Sequence, residues 1–197
     1  MSNIKPPLSN FKSLWTVREL DLPAIVRPCV DCAATRHRPT GKFRVNANGK
    51  LLDVWLLVNC HGCGRTAKIP IHERVHVSAL DSRRRERFEA NDAALVREFA
   101  MSVPLAARHG YALDWTGTWR LETDLPFYRP DDASCRVSEL TIEVRFELAA
   151  PIRVERLLQL GLGISRAQVR RMVEAGRIRL PLGLDGKAWK DFTMTMT

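Results

Sequence analysis

The stretch that opens with Cys29-Val-Asp-Cys32 and closes with Cys60-His-Gly-Cys63 carries two Cys-x-x-Cys pairs, with twenty-seven residues, 33 to 59, between them. Two such pairs supply four thiolates, enough to close a tetrahedral shell around one zinc ion. The two-residue gap lets both sulfurs of a pair face inward, and Gly64 lets the backbone turn tightly beneath the second pair. The expected metal ligands are therefore Cys29, Cys32, Cys60 and Cys63, holding one structural Zn2+. A full sulfur shell leaves no open position for water or substrate, so this ion is expected to hold a fold. His61, between two committed thiolates, is expected to point outward.

Working outward, Lys42-Phe-Arg-Val-Asn alternates apolar with polar, Ala47-Asn48-Gly49 reads as a turn, and Leu51 to Val58 is rich in strand formers. That is a hairpin with one cysteine pair at the base of each arm. Thr66 to Val77 adds a third strand, which makes the segment a zinc ribbon with a three-stranded antiparallel sheet. A thioredoxin-like redox pair and a disulfide framework also use closely spaced cysteines. A redox motif normally occurs once, in a βαβ context, and no secretory leader here points to an oxidising compartment.

Beyond the ribbon, Asp81 or Ser82 and Asn91 or Asp92 are helix caps, and Pro104 suits the first turn of a third helix. Phe88, Leu95, Phe99 and Leu105 are the expected core side chains of this connector. Strand-like pieces follow, at Trp119-Arg-Leu-Glu-Thr and at Leu140 to Leu148, with a turn around Pro130. In the second piece, Leu140, Ile142, Val144, Phe146 and Leu148 alternate with polar residues. Cys135 lies between them and has no identifiable base, so an inert thiol is expected. The fold class is α+β: a flexible tail over 1-20, the ribbon over 21-80, the helical connector over 81-110, and a strand-rich C-terminal domain over 111-197.

Charge is unevenly spread. The net charge is +9, with eight Lys or Arg against two Asp in residues 27 to 68, and seven Arg against two Glu in residues 151 to 180. Residues 110 to 150 reverse the balance, with eight acids against four Arg. Two basic surfaces on an acidic connector attract a polyanion. No apolar stretch is long enough to cross a bilayer, and the opening residues lack the apolar run of a signal peptide, so a cytoplasmic protein without membrane contact is expected.

Near the C-terminus, Ile152 to Gly161 has helical spacing, with its stop expected near Gly161. Ser165-Arg-Ala-Gln168 has the form of a capping box, and Ala167, Met172 and Val173 form the next apolar stripe, ending at Gly176. Together these make a two-helix hairpin over 152-180. Arg153-Val-Glu155, Ser165-Arg166, Arg170-Arg171, Glu174, Gly176 and Ile178 resemble the small RNA-binding domain first described in ribosomal protein S-four. The resemblance implies that the two helices pack together and offer arginines to structured RNA. Where that domain continues with a Val-Asn-Gly turn, this chain has Leu180-Pro-Leu-Gly. The whole chain also resembles a family of bacterial proteins, domain of unknown function 1062. That resemblance is densest from Gly41 to Trp55, with Glu73-Arg-Val and Asn91-Asp92 following, and it implies no activity.

The expected function is non-catalytic binding of structured RNA, ribosomal or transfer RNA, as a possible ribosome or polymerase component. The expected contacts are Lys42, Arg44, Lys50 and Arg65 on the ribbon, and Arg153, Ser165, Arg166, Arg170, Arg171 and Arg177 at the hairpin. Trp189 is the expected exposed stacking side chain, and Trp55 is expected in the core. An adaptor that docks on an acidic protein of the transcription or translation machinery is the alternative. For an enzyme there is no phosphate loop and no His-Glu-x-x-His, and His72 and His76, four apart on a strand, are poorly spaced to share a ligand set.

Overall fold

The computed structural model describes residues 11–124 and 139–197. Cys135 and the turn around Pro130 lie outside the described residues. In chain order the strands begin with β1 (Phe11–Glu19), β2 (Ala24–Val26), β3 (Arg36–Asn48), β4 (Leu51–Cys60) and β5 (Thr66–His76). A 3-10 turn (Val77–Ala79) leads into α1 (Ser82–Glu89), α2 (Ala93–Ala100) and α3 (Val103–Arg108). Then come β6 (Ala112–Asp114), β7 (Trp119–Thr123), β8 (Leu140–Phe146), β9 (Ile152–Arg153), α4 (Val154–Leu162) and α5 (Arg166–Glu174). The chain closes with β10 (Ile178–Arg179), β11 (Lys187–Ala188) and β12 (Phe192–Met196). Among the described residues, no helix is long and apolar enough to cross a membrane.

The chain divides into two compact units. The unit Asp21–Thr118 is built on an antiparallel sheet in the order β5-β4-β3-β2-β6. Its centre is the β3–β4 hairpin, paired from Asn48 opposite Leu51 to His37 opposite Cys60. The alternation of β4 divides the faces: Leu52, Val54, Leu56 and Val58 are buried, while Leu51, Asp53, Trp55 and Leu57 are only partly covered. Phe88, Leu95, Val96 and Leu105 from α1 to α3 join that buried face in one core, with Phe99 packed against it. Residues 81–110 therefore belong to the same core as the sheet.

The helix caps follow the sequence. Asp81 accepts from the Arg84 amide, Asp92 from the Leu95 amide and Ser102 from the Leu105 amide. Asn91, at φ 55, reaches across the unit: its Oδ1 accepts the Phe43 amide at 2.7 Å, where β3 resumes pairing after a shift of register.

The unit Met1–Leu20 with Trp119–Thr197 contains a five-stranded mixed sheet in the order β10-β12-β8-β1-β7. Here β1 runs parallel to β8 and antiparallel to β7. The sequence reads as a tail over 1-20, but residues 11–19 are an interior strand, between β8 and β7, whose Trp15 and Val17 are buried. The signal was the alternation of Ser13, Trp15 and Val17, all inward-facing. In β8, Leu140, Ile142 and Val144 are buried, as is Leu148 just beyond, while Phe146 is partly exposed near Phe192. Helix α4 runs past Gly161 to a left-handed Gly163 at φ 65. Gly161 is inside the helix because Trp15 lies against it: a Cβ there would collide with Trp15 Cη2, Cζ3 and Cζ2, the last at 2.5 Å.

Candidate metal centre and basic surfaces

The first cysteine pair lies in the link between β2 and β3, and the second at the end of β4 and in the turn to β5. Hairpin pairing carries the two places together, since His37 at the start of β3 faces Cys60 at the end of β4. The four Sγ atoms of Cys29, Cys32, Cys60 and Cys63 lie within 4.8 Å of one another. Cys29 is 3.8 Å from Cys63, and Cys32 is 3.6 Å from Cys60. A metal bonded to four sulfurs at about 2.3 Å sets them about 3.8 Å apart, so the cluster has the dimensions of a tetrahedral tetrathiolate site. All four are free thiols, at separations well beyond the roughly 2.05 Å of a disulfide.

The loops are shaped for sulfur. The Asp31 amide donates to Cys29 Sγ at 3.5 Å, and the Gly62 amide donates to Cys60 Sγ at 3.4 Å. Gly64 sits at φ 75, as its place in the turn requires. Gly62 has a different constraint: a Cβ there would lie 2.8 Å from Ala34 Cβ and 3.2 Å from Cys32 Sγ, so only glycine fits beneath the first pair. The amides of Cys63 and Gly62 bring the Cys60 thiol down to about 6. Cys32 is pushed the other way, to about 12: the Ala34 amide is outweighed by its neighbours Cys60, Cys63 and Cys29 and by burial. A cation at the centre displaces the remaining protons, so metal uptake and proton release are linked. His61 is exposed and outside the cluster.

Lys42, Arg44 and Lys50 are exposed, with no ion pair among the described residues. Arg65, expected beside them, is paired with Asp31. Trp55 is on the sheet face opposite the core, half-buried, with Arg44 directly across the ladder and Lys68 Nζ 4.9 Å from its ring centroid. The expectation of a core Trp55 rested on its mostly apolar strand, yet Asp53, two residues before it, lies on the same face. The register, which sets Trp55 out of phase with Val54 and Leu56, decides its face.

At the hairpin the expected contacts separate. Glu155 is 9% exposed at its side chain, and both Arg166 Nε at 2.8 Å and Arg170 Nε at 2.6 Å lie against its carboxylate. Arg170 also pairs with Asp185. Ser165 is engaged in the capping box with Gln168. Arg153, Arg171 and Arg177 are exposed without an ion pair among the described residues. Val169 and Met172 are the buried residues of α5, whereas Ala167 is exposed. Trp189 is 54% exposed, between exposed Lys187 and Lys190 with Ala188 beneath.

His72 and His76 do not converge. His72 packs edge-on against Phe88, and burial lowers its pKa with Arg84 and Arg108 adding to the effect. His76 caps the 3-10 turn through Ser78. His37, which sequence reasoning passed over, is 2% exposed, and its Nδ1 has no hydrogen-bond partner. Its position opposite Cys60 in the hairpin register was the available signal.

A family model described as "Protein of unknown function (DUF1062)" matches residues 45–182, which includes the second cysteine pair. No curated protein and no solved structure matches the chain.

Proposed function

Because the chain belongs to the DUF1062 family of proteins of unknown function, its role has to be read from its own residues, and we propose a non-catalytic zinc-ribbon protein that binds structured RNA, ribosomal or transfer RNA. Zinc suits the centre because four thiolates in a tetrahedron favour it, and a closed shell makes its role structural. The knuckles then fix the ends of β3 and β4, and the sheet between them becomes a rigid platform.

The observation that carries the RNA reading is the row Arg44, Trp55 and Lys68 on the open sheet face. An aromatic ring flanked by cations, neither of which has a carboxylate partner among the described residues, suits a base stacked beside its phosphates. Lys42 and Lys50 extend the positive charge around this face. On the C-terminal unit, Arg153, Arg171 and Arg177 are the cations free to do the same, while Arg166 and Arg170 serve Glu155.

The test is retention of transfer RNA by zinc-loaded protein across a salt series. The reading expects affinity to fall steeply with salt. It also expects the triple variant Lys42→Gln, Arg44→Gln, Lys50→Gln to lower affinity and to flatten the salt slope by about one for each phosphate that is no longer neutralised. Unchanged retention by the triple variant removes the ribbon from the interface.

A second reading, an adaptor that docks on a protein of the transcription or translation machinery, draws on Val30. This side chain stands 80% exposed at the tip of the first knuckle, where an apolar residue has no structural duty. Replacement of Val30 by Ser separates the two: RNA retention should be indifferent to it, and protein docking should not.

A further inference from the structure

A cleft of about 470 Å³ opens beside the cysteine cluster, lined by Arg27, Cys29, His37, Arg65 and Lys68 with no Asp or Glu in its wall. Three of these side chains carry full positive charge, and they differ in what balances it. Arg65 is paired with Asp31 and lies in the field of Cys29 and Cys63. Arg27 is half-buried and Lys68 exposed, and neither has a carboxylate partner among the described residues.

At the wall of the cleft stands His37, 2% exposed, with its Nδ1 buried and unpartnered. A buried polar nitrogen without a partner is costly, and native folds rarely keep one unless a ligand or an ordered water completes it. Arg27, a partly buried residue with no carboxylate partner among the described residues, is a second group short of compensation. Arg27 and His37 both line this cleft.

We propose that this cleft is an anion site that takes a phosphoryl group, with the Arg27 fork and the Lys68 ammonium on its oxygens and the His37 ring in its wall. A guanidinium fork matches two phosphoryl oxygens, and an ammonium supplies a point charge to a third. The volume exceeds that of phosphate alone and leaves room for what carries it. The assignment rests on the RNA reading only for the source of the group, a phosphate within an RNA chain as against free phosphate.

The experiment follows Arg27 Nε–Hε and the His37 ring by NMR in zinc-loaded, full-length protein. The probes are inorganic phosphate, an RNA oligonucleotide and, as a control at matched ionic strength, sodium chloride. The site predicts saturable shifts at both side chains with inorganic phosphate, absent with chloride, and about tenfold weaker binding in Arg27→Gln. Lys68→Gln, at an exposed position that the fold does not need, should weaken phosphate as well. It keeps the test valid if Arg27→Gln does not fold. Shifts that rise linearly and match those of chloride overturn the site, as does phosphate binding unchanged in Lys68→Gln. An Arg27→Gln protein that loses zinc while the parent ignores phosphate also overturns it, and assigns Arg27 to the charge of the thiolates. Phosphate bound without any RNA response leaves the cleft standing and removes the RNA reading. RNA retained with the cleft silent removes the cleft and leaves that reading intact.

Discussion

Arg170 sets its Nε 2.6 Å from the carboxylate of Glu155, a residue 7% exposed at the start of α4. The pair joins the two hairpin helices and gives the second helix's arginines a structural task. Removing the cation from a nearly buried carboxylate leaves charge without compensation, so Arg170→Ala should lower the unfolding midpoint of this unit. Glu155→Gln should reduce the cost of the same Arg170→Ala change. Urea unfolding of the four proteins of that double-mutant cycle measures the coupling, and additivity would show the contact to be idle.

Gly161→Ala tests the packing of α4 on β1. Alanine normally favours a helix interior over glycine by roughly 1 kcal/mol. Here its methyl would meet the Trp15 ring, and overpacking costs about 1–3 kcal/mol. The expected net result is a lower unfolding midpoint, reversed in sign when Trp15 is also replaced by Leu. Thermal unfolding of the single and double variants reads it directly.

Asp92 supplies a pH dependence of known sign. Its Oδ1 accepts from Arg87 and from the Leu95 amide, each at 3.0 Å, and these bonds, Arg87 first, hold its carboxyl below its ordinary 3.8. A depressed folded value means that protonation favours the unfolded chain. The contribution is complete above the ordinary value and disappears as pH falls through the folded one. Asp92→Asn keeps a cap and loses the charge, so the stabilities of the two proteins should differ near neutral pH and converge in acid. Curves that stay parallel down to the acid limit contradict the assignment.

Asn91 and Asp92 lie within the stretch that the family model matches. Both act structurally: Asn91 accepts the Phe43 amide of β3, and Asp92 caps α2. The sequence made the caps legible because capping is local chemistry, readable within four residues. The cysteine quartet was legible for a similar reason, since spacing alone limits what four thiols can do. For Trp55 the local signal was faint: in a mostly apolar strand only Asp53 and Asn59, of the same parity, mark the face on which it lies. Likewise Glu155 lies on a different helix from the arginines that neutralise it, and a helix rich in arginine reads as a binding surface until that partner is seen. Residues 11–19 read as a tail in the sequence because a strand that pairs in parallel with β8 has its partner more than a hundred residues away.

Gly62→Ala perturbs the metal loop without replacing a ligand. The added methyl would lie 2.8 Å from Ala34 Cβ and 3.2 Å from Cys32 Sγ, so the first pair has to shift. The expected outcome is metal affinity weakened by about tenfold or more, read by competition with a chromophoric chelator. Gly64→Ala, at φ 75 with open space around it, should strain the turn and leave the sulfurs in place.

One metal ion, bound by Cys29, Cys32, Cys60 and Cys63, is expected to fix the end of the sheet. Elemental analysis of purified protein, combined with amide NMR before and after chelation, decides the matter. The expected result is one zinc per chain, with loss of dispersed signals from both cysteine loops and from the adjoining ends of β3 and β4 once the metal is removed. Protein that carries no metal, or whose spectrum is the same with and without it, would show that the sheet does not depend on the ion.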